Sequence, residues 1–112
     1  MEQIKESESE IILKVIKEVI LANLEQEPPT RPTRDDCGIL ANQISEQIKN
    51  NLRSMLIKYK YCVFCAVLIN SEQIFGLSTN YRAKLKTDGN VNHSWHNDTY
   101  LCFVNLFAAS LN

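Results

Sequence analysis

The sequence predicts an α+β domain: two helices packed on a four-stranded antiparallel sheet. Three observations predict it. An apolar stripe recurs at helical spacing over residues 11–24, a second runs over 37–56, and the period changes to two from Tyr59 onward. At 112 residues the chain suits a single domain over 1–112. Within it, 1–6 is expected to be a flexible N-terminus and 25–34 a Pro-rich connector.

The first helix opens at Ser7-Glu8-Ser9-Glu10, which has the S-x-x-E form of a capping box. Ile12, Ile16, Ile20 and Leu24 then recur every four residues, beside Ile11, Val15 and Val19. Pro28, Pro29 and Pro32 end it and make a stiff connector. The second helix starts near Thr33-Arg34-Asp35-Asp36, whose carboxylates suit a helix N-terminus, and runs to about residue 57. Cys37, Leu40, Ala41, Ile44, Ile48, Leu52, Met55 and Leu56 mark its core face; Gln43, Glu46, Gln47, Lys49 and Asn50 mark the solvated one. Both stripes read as core packing.

Four strands follow. Tyr59–Asn70 is rich in β-branched and aromatic residues. Gly76–Lys86 alternates Leu77, Thr79, Tyr81, Ala83 and Leu85 against Ser78, Asn80, Arg82, Lys84 and Lys86. Thr87-Asp88-Gly89-Asn90 makes a turn, with Gly89 free to take positive φ. Val91–His96 is a short strand, Asn97-Asp98 suits a two-residue hairpin turn, and Tyr100–Leu111 is the last strand. There is no internal repeat and no low-complexity segment.

Composition excludes several function classes. The net charge is -1, with 12 basic and 13 acidic residues, so there is no basic surface of the kind that phosphate backbones need, and nucleic acid is not an expected partner. Residues 1–10 lack the basic-then-apolar order of a secretory signal. No apolar run approaches the roughly 20 residues that span a bilayer, so no membrane insertion is expected. A soluble intracellular protein is the expectation.

The residues that carry chemistry elsewhere have plainer readings here. Cys62 and Cys65 form a C-x-x-C, the spacing of zinc and thiol-redox sites, but on a strand positions three apart face opposite sides. A second ligand pair at metal spacing is missing. His93 and His96 diverge for the same reason. Cys102 with His96 would be a nucleophile and base only if something oriented the pair. Gly38, Gly76 and Gly89 are isolated, so no phosphate loop is present. Asn97-Asp98-Thr99 has the form of a glycosylation acceptor, which means nothing without secretion. No catalytic residue, metal or cofactor is expected, and the protein is expected not to be an enzyme. The competing reading, a small thiol or hydrolytic enzyme built on Cys62, Cys65 or Cys102, requires a thiol of depressed pKa.

One pattern carries mechanism. In the first strand Tyr61, Val63, Cys65, Val67 and Ile69 line one side, and Cys62, Phe64, Ala66 and Leu68 the other. In the last, Cys102, Val104, Leu106 and Ala108 oppose Leu101, Phe103, Phe107 and Ala109, with Asn105 the polar exception. An antiparallel sheet covered on one face shows polar residues on the other, and two helices can cover only one face. A naked second face would exceed the roughly 300–600 Å² apolar patch usual on a monomer. A sheet-on-sheet homodimer is the simplest cover, with Phe64, Ala66, Leu68, Leu101, Phe103 and Phe107 at the interface; helices split across the two faces are the alternative. Gly76–Lys86, with its polar face and three basic residues, reads as an edge or exchanged strand, where another chain can add.

The C-terminal half resembles a known family. Tyr59-Lys60-Tyr61-Cys62-Val63 is similar to the start of the first strand in Tctex-type dynein light chains. Thr87-Asp88-Gly89, Trp95, Asn97, Thr99 and Tyr100-Leu101-Cys102 resemble that family's closing hairpin, and Val104, Phe107 and Ala108 its last strand. Residues 36–57 match its second helix in pattern only. The resemblance implies a strand-exchanged homodimer, a non-catalytic subunit of a dynein motor. It would hold an extended segment of a dynein intermediate chain or of a cargo protein by strand addition beside the exchanged strand. Carried onto this chain, that strand is about Leu77–Lys86 and the peptide groove is lined by Leu77, Ser78, Thr79, Asn80, Tyr81, Arg82, Ala83 and Lys84. The implied location is cytoplasmic and cytoskeletal, at microtubules, or in a cilium or flagellum. This chain departs from the family where a Cys-Phe-Trp-Asp-like run gives way to Ala83-Lys84-Leu85-Lys86, and where a usual Phe-Gly becomes Phe107-Ala108. Both changes fall near the groove and interface and bear on the choice of partner. A peptide-binding dimer of the same fold acting outside the dynein complex is the alternative.

Overall fold

The computed structural model describes residues 5–26, 32–70 and 90–110. The first helix, α1, spans Glu6–Leu24. Its start is closed by Glu8, whose Oε1 accepts the backbone N–H of Lys5 at 3.1 Å. The acidic partner of the cap is therefore Glu8, two residues earlier than the Glu10 expected from the Ser7 box, and Glu6 lies in the helix. At the far end, the Glu25 N–H donates to Leu21 O at 3.1 Å and Gln26 Nε2 to Ala22 O at 2.8 Å. These two bonds fill carbonyls that a helix terminus leaves open. Ile12, Ile16 and Ile20 are fully buried and Leu24 nearly so. Pro28 and Pro29 of the expected connector lie outside the described residues.

The second helix, α2, spans Arg34–Met55. Thr33 Oγ1 accepts the Asp36 N–H at 3.2 Å, and Asp36 Oδ2 accepts the Thr33 N–H at 2.8 Å, a reciprocal cap. Cys37, Ile44, Ile48 and Leu52 are buried, and Leu40, Ala41 and Leu56 pack half-buried beside them. Met55, expected on the core face, is 55% exposed. The helix stops short of residue 57 because Leu56 leaves the helical region, at φ -128 and ψ 80. Its carbonyl is taken instead by the Tyr61 hydroxyl at 2.7 Å.

The sheet has three strands among the described residues: β1 (Tyr59–Ile69), β2 (Asn90–His96) and β3 (Tyr100–Ser110). Their order is β1-β3-β2, antiparallel throughout. The fourth strand expected over Gly76–Lys86 and the turn at 87–89 lie outside the described residues. The β2–β3 turn holds three residues, Asn97–Thr99, not the expected two. Asn97 Oδ1 accepts the N–H groups of Thr99 at 2.9 Å and Tyr100 at 2.7 Å, a side-chain turn that lengthens the loop by one.

Both helices lie on one face of the sheet. Tyr59, Tyr61, Val67, Val91, Cys102, Val104 and Leu106 share a single buried cluster with the α1 and α2 stripes. α2 rests on β1, while α1 packs on α2 and β2. The alternative of helices split across the two faces is thereby removed.

Two polar ties fasten the ends of α1 to the sheet. At its start Glu8 is 7% exposed, accepts the Tyr59 hydroxyl at 2.8 Å through Oε1, and meets Lys58 Nζ at 3.1 Å through Oε2. At its end Leu24 O accepts Asn97 Nδ2 at 3.3 Å from the hairpin turn. The Tyr59 hydrogen bond, with Lys58 behind it, holds the Glu8 pKa below its ordinary 4.5. Burial, followed by the hydrogen bond to Glu8, pushes the Tyr59 phenol up.

These ties and stripes make two expected outcomes. A lowered carboxylate pKa adds stability above the unfolded value and loses it as pH falls through the folded one. The stability gap between wild type and Glu8→Gln, read from urea midpoints, should therefore be constant near neutrality and close as pH drops below 4.5. Ile48→Ala, at a fully buried site, should cost about 2–5 kcal/mol in the same assay.

Candidate functional site

A strand sends alternate side chains to opposite faces, so the residues turned away from the helices follow from the register. Phe64 lies opposite Asn105, Ala66 opposite Phe103, Leu68 opposite Leu101 and Cys62 opposite Phe107. On the other side of β3, Asn92 lies opposite Asn105, Ser94 opposite Phe103 and Asn90 opposite Phe107. The register thus brings Phe64, Ala66, Leu68, Leu101, Phe103 and Phe107 together on the outer face.

That face is not uniformly open. Leu101 and Phe103 are 2% and 4% exposed, already shielded within the protomer, and Ala66 and Leu68 are half-buried. Phe64 and Phe107, by contrast, are 60% and 48% exposed. An exposed aromatic pair beside half-buried aliphatics is unusual for a solvated surface and usual for a contact surface. Sequence reasoning placed these six side chains on a common face but gave no sign of the division between shielded and open ones.

Among the described residues β1 pairs with β3 alone, and a strand edge is the kind of surface on which another strand can add. The groove residues expected from the resemblance, Leu77 to Lys84, lie outside the described residues.

The chemistry-bearing side chains are arranged differently from an active site. Cys62 is exposed on the outer face, while Cys65 faces the helices with its Sγ 3.9 Å from Cys102 Sγ. The contact with Cys65, and then burial, drive the Cys102 pKa far up, so its thiol is held protonated and is a poor nucleophile. His96 lies opposite Leu101, on the outer face, whereas Cys102 lies on the helix side, so the two cannot meet as base and nucleophile. Burial pushes the Cys37 thiol up as well, and the Tyr61 phenol up to about 12. Among the described residues no group of three His, Cys, Asp or Glu side chains converges. An open groove of about 330 Å³ lies between the helices, lined by Ile11, Lys14, Val15, Glu18, Asn51, Ser54 and Met55. No described helix is long and apolar enough to cross a membrane.

Residues 6–109 match the family model described as the Tctex-1 family, nearly the whole chain. No curated protein matches the sequence.

Shielding separates two substitutions on the outer face. Phe103→Asp would bury an unpaired charge and should abolish folding, seen as loss of the cooperative thermal transition. Phe64→Asp, at an open position, should leave that transition in place and act on self-association alone, measured by sedimentation.

Proposed function

The chain belongs to the Tctex-1 family, and on that premise we propose that it is a homodimeric, non-catalytic dynein light chain that clamps an extended segment of a dynein intermediate chain or of a cargo protein. Membership supports the dynein light chain class. The single observation that carries the clamp is the sheet's outer face, where Phe64 and Phe107 stand open and β1 pairs with β3 alone among the described residues.

The physics of the mode is simple. Two copies meet through their outer faces, and a strand exchanged over about Leu77–Lys86 completes each sheet at the β1 edge. The guest peptide then adds beside that strand. Its backbone hydrogen bonds supply affinity without regard to sequence, and pockets for alternate side chains supply choice. Leu77, Ser78, Thr79, Asn80, Tyr81, Arg82, Ala83 and Lys84 form the proposed groove. A two-fold dimer has two equivalent grooves, so two guest chains are held in parallel and each binding event raises the effective concentration for the next. A light chain of this kind needs no reactive group, which fits thiols held protonated in the core. It works in the cytoplasm on microtubules, or in a cilium or flagellum.

Light scattering over a wide dilution series should give a mass near twice 12.9 kDa. A clean monomer would remove the clamp. With the dimer in hand, immobilised protein should retain a dynein intermediate chain from solution, at one chain per protomer. Retention of other proteins only would leave the fold and the dimer but favour an adaptor outside the motor. Arg82→Ala and Lys84→Ala should alter which segment is retained while the melting temperature stays within a degree or two, as exposed strand positions do.

A further inference from the structure

Two sulfur atoms meet on the inner face of the sheet. Cys65 lies opposite Val104 and Cys102 opposite Val67, so the two cysteines stand one diagonal apart on neighbouring antiparallel strands. Both pack in the cluster under the helices, with their Sγ atoms 3.9 Å apart. Cys102 has no exposure, whereas Cys65 is half-buried and within reach of a small solute. The clamp makes no use of the pair. A disulfide needs its sulfurs about 2.05 Å apart. Turning a cysteine from one staggered rotamer to the next moves its sulfur by more than the remaining gap.

We propose that Cys65 and Cys102 are a reversible redox pair, joined by a hydroperoxide into a cross-strand disulfide. The Cys65 thiolate attacks one peroxide oxygen and the O–O bond breaks. The leaving oxygen takes up the proton that Cys65 gave up and departs as water or an alcohol, and Cys65 is left as a sulfenic acid. The Cys102 sulfur then attacks the Cys65 sulfur. The S–S bond forms, the S–O bond breaks, and hydroxide leaves with the Cys102 proton as water. Two thiols lose two electrons and one hydroperoxide gains them.

The order of the two cysteines follows from their surroundings. Contact with Cys65, and then burial, hold Cys102 protonated, so it is a poor first nucleophile. As the second it attacks a sulfur already in contact with it, where proximity compensates for low acidity. The diagonal offset makes the bond reversible. Diagonal residues on antiparallel strands lie about 7–8 Å apart at Cα, wider than the roughly 4.4–6.8 Å that an unstrained disulfide spans. The bond therefore draws β1 and β3 together, and a strained disulfide is easily reduced. Such a bond suits a transient oxidative mark in a reducing compartment. Once formed it pins β1, which pairs with β3 alone among the described residues. The inference depends on neither the dimer nor the clamp.

The test uses the full chain carrying Cys62→Ser, which removes the exposed thiol and leaves Cys37, Cys65 and Cys102. Folded protein is treated with hydrogen peroxide, quenched, alkylated and digested without reductant. Free thiols should fall from three to one. Cys65 and Cys102 should appear in one linked peptide from a single chain, Cys37 should stay free, and dithiothreitol should restore both thiols. The same treatment in urea should scatter links among the three. Adding Cys65→Ala should abolish the link and leave Cys102 a free thiol. Folded protein that keeps Cys65 and Cys102 free at a peroxide dose that oxidises free cysteine overturns the inference. So does a folded sample with the scatter seen in urea, one linked between chains, or one in which Cys65 goes on to sulfinic acid without a link. Oxidation of Cys102 in the Cys65→Ala protein overturns the assigned order.

Discussion

β3 is paired along both edges and apolar on both faces, and the rest of the molecule is arranged around that constraint. Toward the helices it presents Cys102, Val104 and Leu106, none with any exposure; away from them it presents Leu101, Phe103 and Phe107. A strand of this kind is stable in an antiparallel sheet only when both sides are covered. α1 and α2 together have one apolar stripe each, enough for the inner face and no more. Burial of the inner face makes the domain, and the outer face is left to make contacts.

The same division separates the protein's thiols and imidazoles. Cys65 and Cys102 sit on the inner face, and the contact between them, with burial, holds the Cys102 thiol protonated. The histidines are divided between the faces by the strand's alternation, and the one beside Leu101 cannot reach across the sheet. Among the described residues the face with Phe64 and Phe107 is the open one, and Cys62 is the one exposed thiol. The Tctex-1 membership agrees with that physical reading.

Much of this was legible in the residues. The helical stripes, the change of period at Tyr59 and the parity of every described strand residue follow from local spacing, because the faces of helices and strands are set by backbone geometry. What escaped was set by contacts between distant residues. Glu8 rather than Glu10 closes α1 because Tyr59 and Lys58 claim its carboxylate from 51 and 50 positions away, and no local pattern encodes that. Met55 stands exposed at the last position of α2, and the Leu56 carbonyl just beyond it is taken by Tyr61 from the following strand. The hairpin gained a residue because the Asn97 side chain bonds two amides, where the dipeptide alone suggested a tight turn. Of the outer-face residues the sequence showed which belong together, but the shielding of Leu101 and Phe103 against the openness of Phe64 and Phe107 is a property of the folded surface.

The two ties on α1 also set an order of events when the chain is made. Its start waits for Tyr59 and its end for Asn97, 73 positions beyond Leu24. At usual synthesis rates that delay is on the order of ten seconds, during which the stripe of Ile12, Ile16 and Ile20 has no sheet to lie on. An isolated helix of 19 residues is only marginally stable in water, so α1 gains its lasting hold only once the hairpin turn far behind it is made. The earliest of the described elements is thus fastened by some of the latest.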